Sequence, residues 1–320
     1  MKAIFGAMNI GQQVFGTDAI RMLEVYKATG GTELDAAYVY NDGACEEILG
    51  DCLSELGAGA FSVATKANPR VTGRLDCRSV KDQLDGSLRR LGLEQVDVFY
   101  LHFPDASTPV SEAVRACAEL YEEGKFRELG VSNFPLSLVE QVISSCDNYS
   151  CPRPTVFEGV YNALSRKAEA ELIPALDGLG MRFNAYNPLA GGMLTGKYRS
   201  ISEAPSEGRF ALRAKSYQSR YWKESYFRAV DIVSEACDSA GIPDAEAALR
   251  WIAFHSFLSN ERGDGIIIGA SKLSQLEQNL SALDKGPLPM DVVEAFDRAW
   301  GLTAEDAPEY FRFYESGRAV

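Results

Sequence analysis

Eight short apolar runs constrain this chain more than any other feature. They are Ala3–Gly6, Glu33–Ala36, Phe61–Lys66, Val96–His102, Leu129–Ser132, Thr155–Gly159, Arg182–Asn187 and Gly265–Gly269. Most are continuous rather than alternating, as strands buried on both faces are. Helical patterns lie between them: Asp18–Ala28, Ala44–Leu56, Arg78–Leu91, Val110–Glu123, Leu136–Ser145, Lys167–Leu179, Tyr226–Ala240 and Ala245–Phe257. Asp18, Ser79 and Ser111 stand where N-caps are wanted, and Gly30, Gly92 and Gly124 punctuate helix ends. Strand–helix alternation implies parallel pairing through right-handed crossovers. A count of eight favours a closed (β/α)8 barrel over an open doubly wound sheet. No repeat, low-complexity tract or linker interrupts the 320 residues, so the reading is one barrel domain over residues 1–320. The connection from Leu189 to Lys223 is long for a strand–helix loop, which marks it as functional. The aromatic and charged segment Ala304–Val320 is expected to cover an opening of the barrel.

Charge and cysteine usage exclude several function classes. With 32 basic against 45 acidic side chains the net charge is -13, and a phosphate-backbone binder needs a basic face instead, so nucleic acid is not expected as a partner. No apolar run reaches bilayer length, and the start Met1-Lys2-Ala3-Ile4-Phe5-Gly6 is not a secretory signal, so neither membrane nor export is expected. Seven cysteines without a Cys-x-x-Cys pair point to reduced thiols in a cytoplasmic setting, although Cys146 and Cys151 are close enough in sequence to pair. Two histidines and no ligand-like cysteine spacing argue against a metal site.

A barrel of this kind binds at the C-terminal ends of its strands, and four polar residues fall there. Asp35 lies in the second run, Tyr40 five residues later, Lys66 closes the third run and His102 the fourth. Singly, each has a structural explanation: strand-end aspartates and lysines are commonly ion-pair members, and tyrosines are common near surfaces. Alternation puts Tyr38 and Tyr40 on the same side, so periodicity does not choose between them. Together the four make a proton-transfer set. A phenol of pKa ~10 is a poor acid at neutral pH. A neighbouring ammonium is expected to lower that value, a carboxylate to hold the ammonium, and an imidazole to polarise a carbonyl. Such a set suits hydride delivery to C=O with a tyrosine protonating the developing alkoxide.

These residues carry a specific resemblance. Leu34-Asp35-Ala36-Ala37-Tyr38-Val39-Tyr40, Ala64-Thr65-Lys66, Ser87-Leu88-Arg89-Arg90-Leu91-Gly92-Leu93, Val96-Asp97-Val98-Phe99-Tyr100-Leu101-His102 and Gly130-Val131-Ser132-Asn133-Phe134 resemble the aldo-keto reductases, over Gly6 to Arg312. Tyr186-Asn187-Pro188-Leu189-Ala190-Gly191-Gly192-Met193-Leu194-Thr195-Gly196-Lys197-Tyr198, Tyr217-x-x-Arg220-Tyr221-Trp222-Lys223, Gln275-Leu276-Glu277-Gln278-Asn279 and Tyr310-Phe311-Arg312 are similar to its aflatoxin-aldehyde reductase branch. The resemblance implies that Tyr40, not Tyr38, is the acid.

No Gly-x-Gly-x-x-Gly follows a strand, so a Rossmann site is unsupported. Gly191-x-x-x-x-Gly196-Lys197 looks like a phosphate loop, but Tyr198 stands where a magnesium-binding Ser or Thr would follow. Its amides and Lys197 still suit a pyrophosphate. The resemblance implies NADPH, with Asn133 on the nicotinamide carboxamide and Asp35, Ser132, Glu158, Asn187, Leu189 and Gly191 as further contacts. Ser271, Gln275, Gln278 and Asn279 would hold the adenosine end, and Arg209 and Lys272 a 2′-phosphate. It also implies a small carbonyl substrate touched by His102, Tyr217, Arg220 and Arg312, such as a semialdehyde, a dialdehyde or an aromatic aldehyde. Relatives occur in several oligomeric states, so a homodimer is compatible with it.

Three departures stand out. Ala36 replaces the family's threonine, Glu158 stands where a glutamine normally meets the nicotinamide amide, and the loop from Arg209 to Tyr217 is about two residues shorter than the branch leads one to expect. Two other readings stay open at this point: a non-catalytic barrel that senses NADPH, and an unrelated phosphate-binding barrel isomerase.

Overall fold

Apolar strands that must bury both faces can do so by closing on themselves under a helical jacket. The computed structural model of the chain, which describes residues 1–57, 59–203 and 205–314, has that form. The chain runs β1 (Lys2–Gly6), α1 (Gly16–Ala28), β2 (Glu33–Asp35), α2 (Ala44–Leu56), β3 (Ser62–Ala67), α3 (Cys77–Leu91), β4 (Val96–Leu101), α4 (Val110–Glu122), β5 (Phe126–Ser132), α5 (Leu136–Tyr149), β6 (Val156–Val160), α6 (Leu172–Gly178) and β7 (Arg182–Tyr186). It continues through α7 (Arg209–Leu212), α8 (Ala214–Tyr221), α9 (Glu224–Ala240), α10 (Asp244–Phe254), β8 (Gly265–Ile268), α11 (Leu273–Ala282) and α12 (Met290–Thr303). Each strand pairs in parallel with the next, and β1 pairs with β8 from Lys2↔Gly265 to Phe5↔Ile268, closing the ring. The eight expected strands are all present, with ends shifted by up to three residues.

Alternation along each strand sorts two cores. On β4, Phe99 and Leu101 face the helices and join the large apolar layer, whereas Val98 and Tyr100 point into the barrel with Val156 and Ala64. Tyr100 fits because β5 offers Gly130 opposite it. A Cβ there would come 2.4 Å from the Tyr100 ring. Above this small apolar plug the barrel interior turns polar, with Asp35, Lys66, Glu158 and Asn184 all buried.

Several expectations need correction. Asp18 lies inside the first turn of α1, whose N-cap is Phe15. Asp76, not Ser79, caps α3, accepting the Ser79 N–H. Ser111 is within α4, capped by Pro109. The run Lys167–Leu179 divides into a 3-10 turn and α6. Helices α7, α8, α11 and α12 were not anticipated, although Val292, Ala295, Phe296 and Ala299 give α12 a clear buried stripe. From Ala304 the tail runs over the rim: the Arg312 N–H donates to Asn133 O (2.9 Å) and the Tyr314 N–H to Pro104 O (3.0 Å). Residues 315–320 of that expected cover lie outside the described residues.

The opposite end of the barrel is held by Asp264, fully buried before β8. Its carboxylate accepts the N–H groups of Phe183 (2.7 Å) and Ser259 (2.8 Å) and pairs with Arg262 (2.6 Å). Removing it leaves two amides without their acceptor and a part-buried guanidinium with Phe257 O and Asp177 left to answer it. Asp264→Ala is therefore expected to cost about 3–5 kcal/mol in urea unfolding; a loss below about 1 kcal/mol would show that water replaces the carboxylate easily.

Candidate active site

Strand order dictates which side chains meet at the C-terminal rim. Lys66 from β3 projects inward between β2 and β6. Its ammonium contacts the Asp35 carboxylate, donates to Ala36 O (3.1 Å) and lies 3.3 Å from Glu158 Oε2. It also sits over two rings, 5.3 Å from the Tyr40 centroid and 5.2 Å from that of Tyr100. Burial alone would lower the Lys66 pKa, but the charges of Asp35 and Glu158 outweigh it and hold the group above its ordinary value.

The structure separates the two tyrosines that periodicity could not. β2 ends at Asp35, so Tyr38 and Tyr40 lie on a turn and strand alternation does not apply to them. Tyr38 packs under the Arg90 guanidinium (4.5 Å), which pairs with buried Glu46 (2.7 Å). Tyr40 instead lines the cavity, its hydroxyl 3.4 Å from Asp35 Oδ2. The turn is set by Asn41 and Asp42 at φ 60° and 53°. The Asn41 amide donates to Met8 O (3.1 Å) and Ile10 O (2.6 Å), which ties it to the β1–α1 loop.

The expected depression of the phenol pKa is not what this environment produces. Burial pushes Tyr40 well above the ordinary value, and the charges of Asp35 and Glu158 push further the same way. The reason is that the Lys66 charge is already offset by the Asp35 carboxylate, and by Glu158 as well once it ionises. Tyr40 is thus a neutral phenol with a proton to give. His102 is held neutral as well, first by burial and then by the Lys66 charge. Its tautomer follows from a residue that sequence reasoning missed. Asn68 Oδ1 accepts the Arg70 N–H (2.9 Å), which turns its Nδ2 to His102 Nδ1 at 3.0 Å. Nδ1 is therefore the acceptor and Nε2 carries the proton. The Tyr40 and His102 rings meet edge to face at 6.1 Å.

These groups open onto a cavity of about 920 Å³, large enough for a dinucleotide end and a small substrate. Of the residues expected in the site, Asp35, Tyr40, His102, Asn133, Glu158, Asn187, Leu189, Gly191, Lys197, Arg209, Tyr217, Arg220, Ser271, Lys272, Gln275, Gln278 and Asn279 all line it. Lys66, Ser132 and Arg312 do not. Lys66 lies behind the lining, in contact with Asp35, Tyr40 and Glu158, Ser132 accepts the Asn133 amide (2.8 Å), and Arg312 reaches Asn133 O through its backbone. Asn133 takes φ 61° at the end of β5, donates to His102 O (2.9 Å) and accepts the Tyr186 hydroxyl (2.6 Å). Tyr217 packs against the loop after β7, where a Cβ on Gly191 would come within 2.6 Å of its ring. The Ser271 hydroxyl and N–H both donate to Gln275 Oε1 (2.9 and 3.1 Å) just ahead of α11. Met8, Asn68, Arg70, Phe103, Tyr186 and Arg213 are among the further lining residues that were not anticipated as site residues. Asn68 alone had a positional signal, as the polar residue next but one to Lys66 at a strand end.

Glu158 is the unusual member. It is 2 % exposed, and its Oε2 has no hydrogen-bond partner among the described residues. Two carboxylates face one ammonium, so burial and the Asp35 charge raise its pKa to about 8, with Lys66 only partly opposing. A carboxyl raised by folding favours the neutral form. Its contribution to stability is complete below the unfolded value near ~4.3 and is lost as pH rises through about 8. Glu158→Gln is expected to gain in Tm over the parent progressively as pH rises from roughly 4.3 to about 8, and to hold a constant advantage above that. Parallel Tm–pH curves for the two proteins would contradict a neutral buried Glu158.

Comparison with known proteins agrees with this geometry. The aldo/keto reductase family model matches residues 2–301. The chain is 44% identical over 319 residues to aflatoxin B1 aldehyde reductase member 2 of Mus musculus, covering 97% of this chain and 87% of the relative. It is 42% identical over 318 residues to aflatoxin B1 aldehyde reductase member 4 of Homo sapiens, covering 96% of each. An aldo-keto reductase of Pseudocercospora fijiensis is 39% identical over 296 residues, 91% of this chain and 100% of the relative. A closed eight-stranded barrel with Asp35, Tyr40, Lys66 and His102 at one rim, matched along nearly its whole length, belongs to the aldo/keto reductase family.

Proposed function

We propose that the protein is an NADPH-dependent reductase of aldehydes or ketones in which Tyr40 is the proton donor. The observation that carries this reading is the placement of Tyr40 and His102 on one cavity with the Asp35–Lys66 pair directly behind the phenol. The residues present fit a dinucleotide. Backbone turns at Gly191 and Gly192, both at positive φ, line the cavity beside Lys197, and Arg209 Nη1 is buried without a partner. Asn133 and Glu158 would hold the nicotinamide end, Lys197 the pyrophosphate, Ser271, Gln275, Gln278 and Asn279 the adenosine, and Arg209 with Lys272 the 2′-phosphate. That last pair is the reason for preferring NADPH to NADH.

The bound cofactor supplies a hydride to the carbonyl carbon. The chain's own residues handle the oxygen. His102 donates through Nε2–H and polarises the C=O bond. Tyr40 gives its proton to the oxygen as negative charge develops. The resulting phenolate is stabilised by the Lys66 ammonium, which the Asp35 carboxylate keeps in place, until solvent restores the proton. Tyr217, Arg220 and Arg312 favour substrates with a second polar or anionic group, such as semialdehydes and dialdehydes, beside aromatic aldehydes. Family membership removes the reading as an unrelated isomerase. A reduced compartment and a cytoplasmic setting fit seven free cysteines, six of them buried, and no helix among the described residues is long and apolar enough to cross a membrane.

Purified protein is expected to oxidise NADPH with 4-nitrobenzaldehyde. Tyr40→Phe should lower kcat by about 10²–10⁴-fold while NADPH affinity, read from quenching of intrinsic fluorescence, stays nearly unchanged. Turnover that survives Tyr40→Phe but is lost in Tyr38→Phe would overturn the assignment. Quenching by NADPH without turnover of any aldehyde or ketone would favour a sensing role instead.

A further inference from the structure

The segment that follows the long β7 loop is anchored by aromatic packing. Phe210 is fully buried and meets Tyr198 (5.0 Å), Trp222 (5.0 Å) and Tyr217 (6.4 Å). This fixes the junction between α7 and α8, where Arg213 adopts an irregular backbone (φ −132°, ψ 44°). From there its guanidinium crosses the cavity mouth and donates to Asn41 Oδ1 (2.8 Å). Asn41 adjoins Tyr40 and is itself fixed by two backbone acceptors. Arg70 lies two residues after Asn68, the residue that orients His102, and its exposed side chain lines the same cavity, near enough for its charge to act on Arg213.

These two arginines share a further property. Neither forms an ion pair among the described residues, in a chain whose net charge is -13. Arg213 Nε is buried without a hydrogen-bond partner. Burial and then the nearby charges of Arg209 and Arg70 work against the Arg213 cation, with Tyr217 and Tyr40 opposing them. A guanidinium desolvated beside other cations with no carboxylate to answer it is a site prepared for an anion from outside. Asn41 holds the Arg213 guanidinium next to Tyr40, and Asn68 fixes the Arg70 backbone next to His102, so an anion held there would lie on the same molecule as the reacting carbonyl.

We propose that Arg70 and Arg213 form a subsite for a phosphate dianion on the tail of the carbonyl substrate, so that small phosphorylated aldehydes are a preferred substrate class. The forked donors of arginine match phosphate oxygens, and two cations answer a dianion better than a single carboxylate. The proposal rests on the reductase reading, since the subsite matters through its distance to Tyr40. It is separate from the expected substrate contacts at Arg220 and Arg312 and from the cofactor cations Arg209 and Lys272.

The test compares glyceraldehyde 3-phosphate with glyceraldehyde, two aldehydes that differ only in the phosphate. We expect kcat/KM to favour the phosphorylated compound at least tenfold, mainly through KM. Arg213→Gln should reduce that ratio about tenfold, and Arg70→Gln, an exposed change that the fold tolerates, should reduce it several-fold. NADPH affinity, read by fluorescence quenching, should hold in both variants. A ratio near one in the parent, or a preference that survives both substitutions, overturns the subsite. So does a loss of NADPH affinity in the variants with the ratio intact, which would make these cofactor cations. Absence of turnover with 4-nitrobenzaldehyde in the parent would instead remove the reductase reading itself.

Discussion

One buried ammonium facing two carboxylates organises this site. Lys66 is 1 % exposed, touches Asp35, and has Glu158 at 3.3 Å. An isolated charge in that position would be expelled or neutralised. Pairing keeps it, but two carboxylates over-answer it, and the imbalance falls on Glu158, which holds its proton into the alkaline range. The same balance leaves little of the Lys66 field for Tyr40, so the phenol stays protonated. A neutral Tyr40 and a neutral His102, both lining one cavity and both still carrying a proton, are what an acid for a developing alkoxide requires. The electrostatics of the whole rim thus follow from where a single lysine is placed.

That placement is a consequence of barrel geometry. Asp35, Lys66 and Glu158 come from β2, β3 and β6, and they converge because their strands close into a ring with inward positions stacked in layers. Gly130 lets Tyr100 fill the layer beneath, giving Lys66 an aromatic floor. Outside the ring, asparagines turn the rim into a fixed frame. Asn41, Asn133 and Asn187 accept positive φ at strand ends, where bulkier residues would be strained, and each spends its side chain on a hydrogen bond that ties neighbouring loops together.

The barrel was legible because parallel strands buried on both faces leave continuous apolar runs, and eight of them with helices between admit few topologies. Asp35, Lys66 and His102 were legible as polar interruptions at the ends of those runs. Tyr40 was not separable from Tyr38 by periodicity, since both lie beyond β2; the resemblance selected Tyr40, and the neighbourhood of Arg90 against that of Asp35 gives the physical difference between them. Capping was misread at Ser79 because Asp76, three residues earlier, offers the stronger acceptor. The direction of the Tyr40 shift was misread because sequence shows neither how deeply the phenol is buried nor that Glu158, four strands away, comes to 3.3 Å from Lys66. Arg213 was invisible for a related reason: nothing local marks an arginine in a loop as facing Asn41, 172 positions earlier in the chain.

The central claim is that Tyr40 is a neutral phenol held up by burial and by the Asp35 charge, with Glu158 adding to them once it ionises. Tyrosinate absorbance of the parent minus that of Tyr40→Phe, followed from neutral pH upward, measures it directly. The account predicts no difference until the pH passes ~10, the ordinary phenol value. A phenolate signal from Tyr40 emerging near neutral pH would contradict it, and would return to Lys66 the dominant hold on that proton.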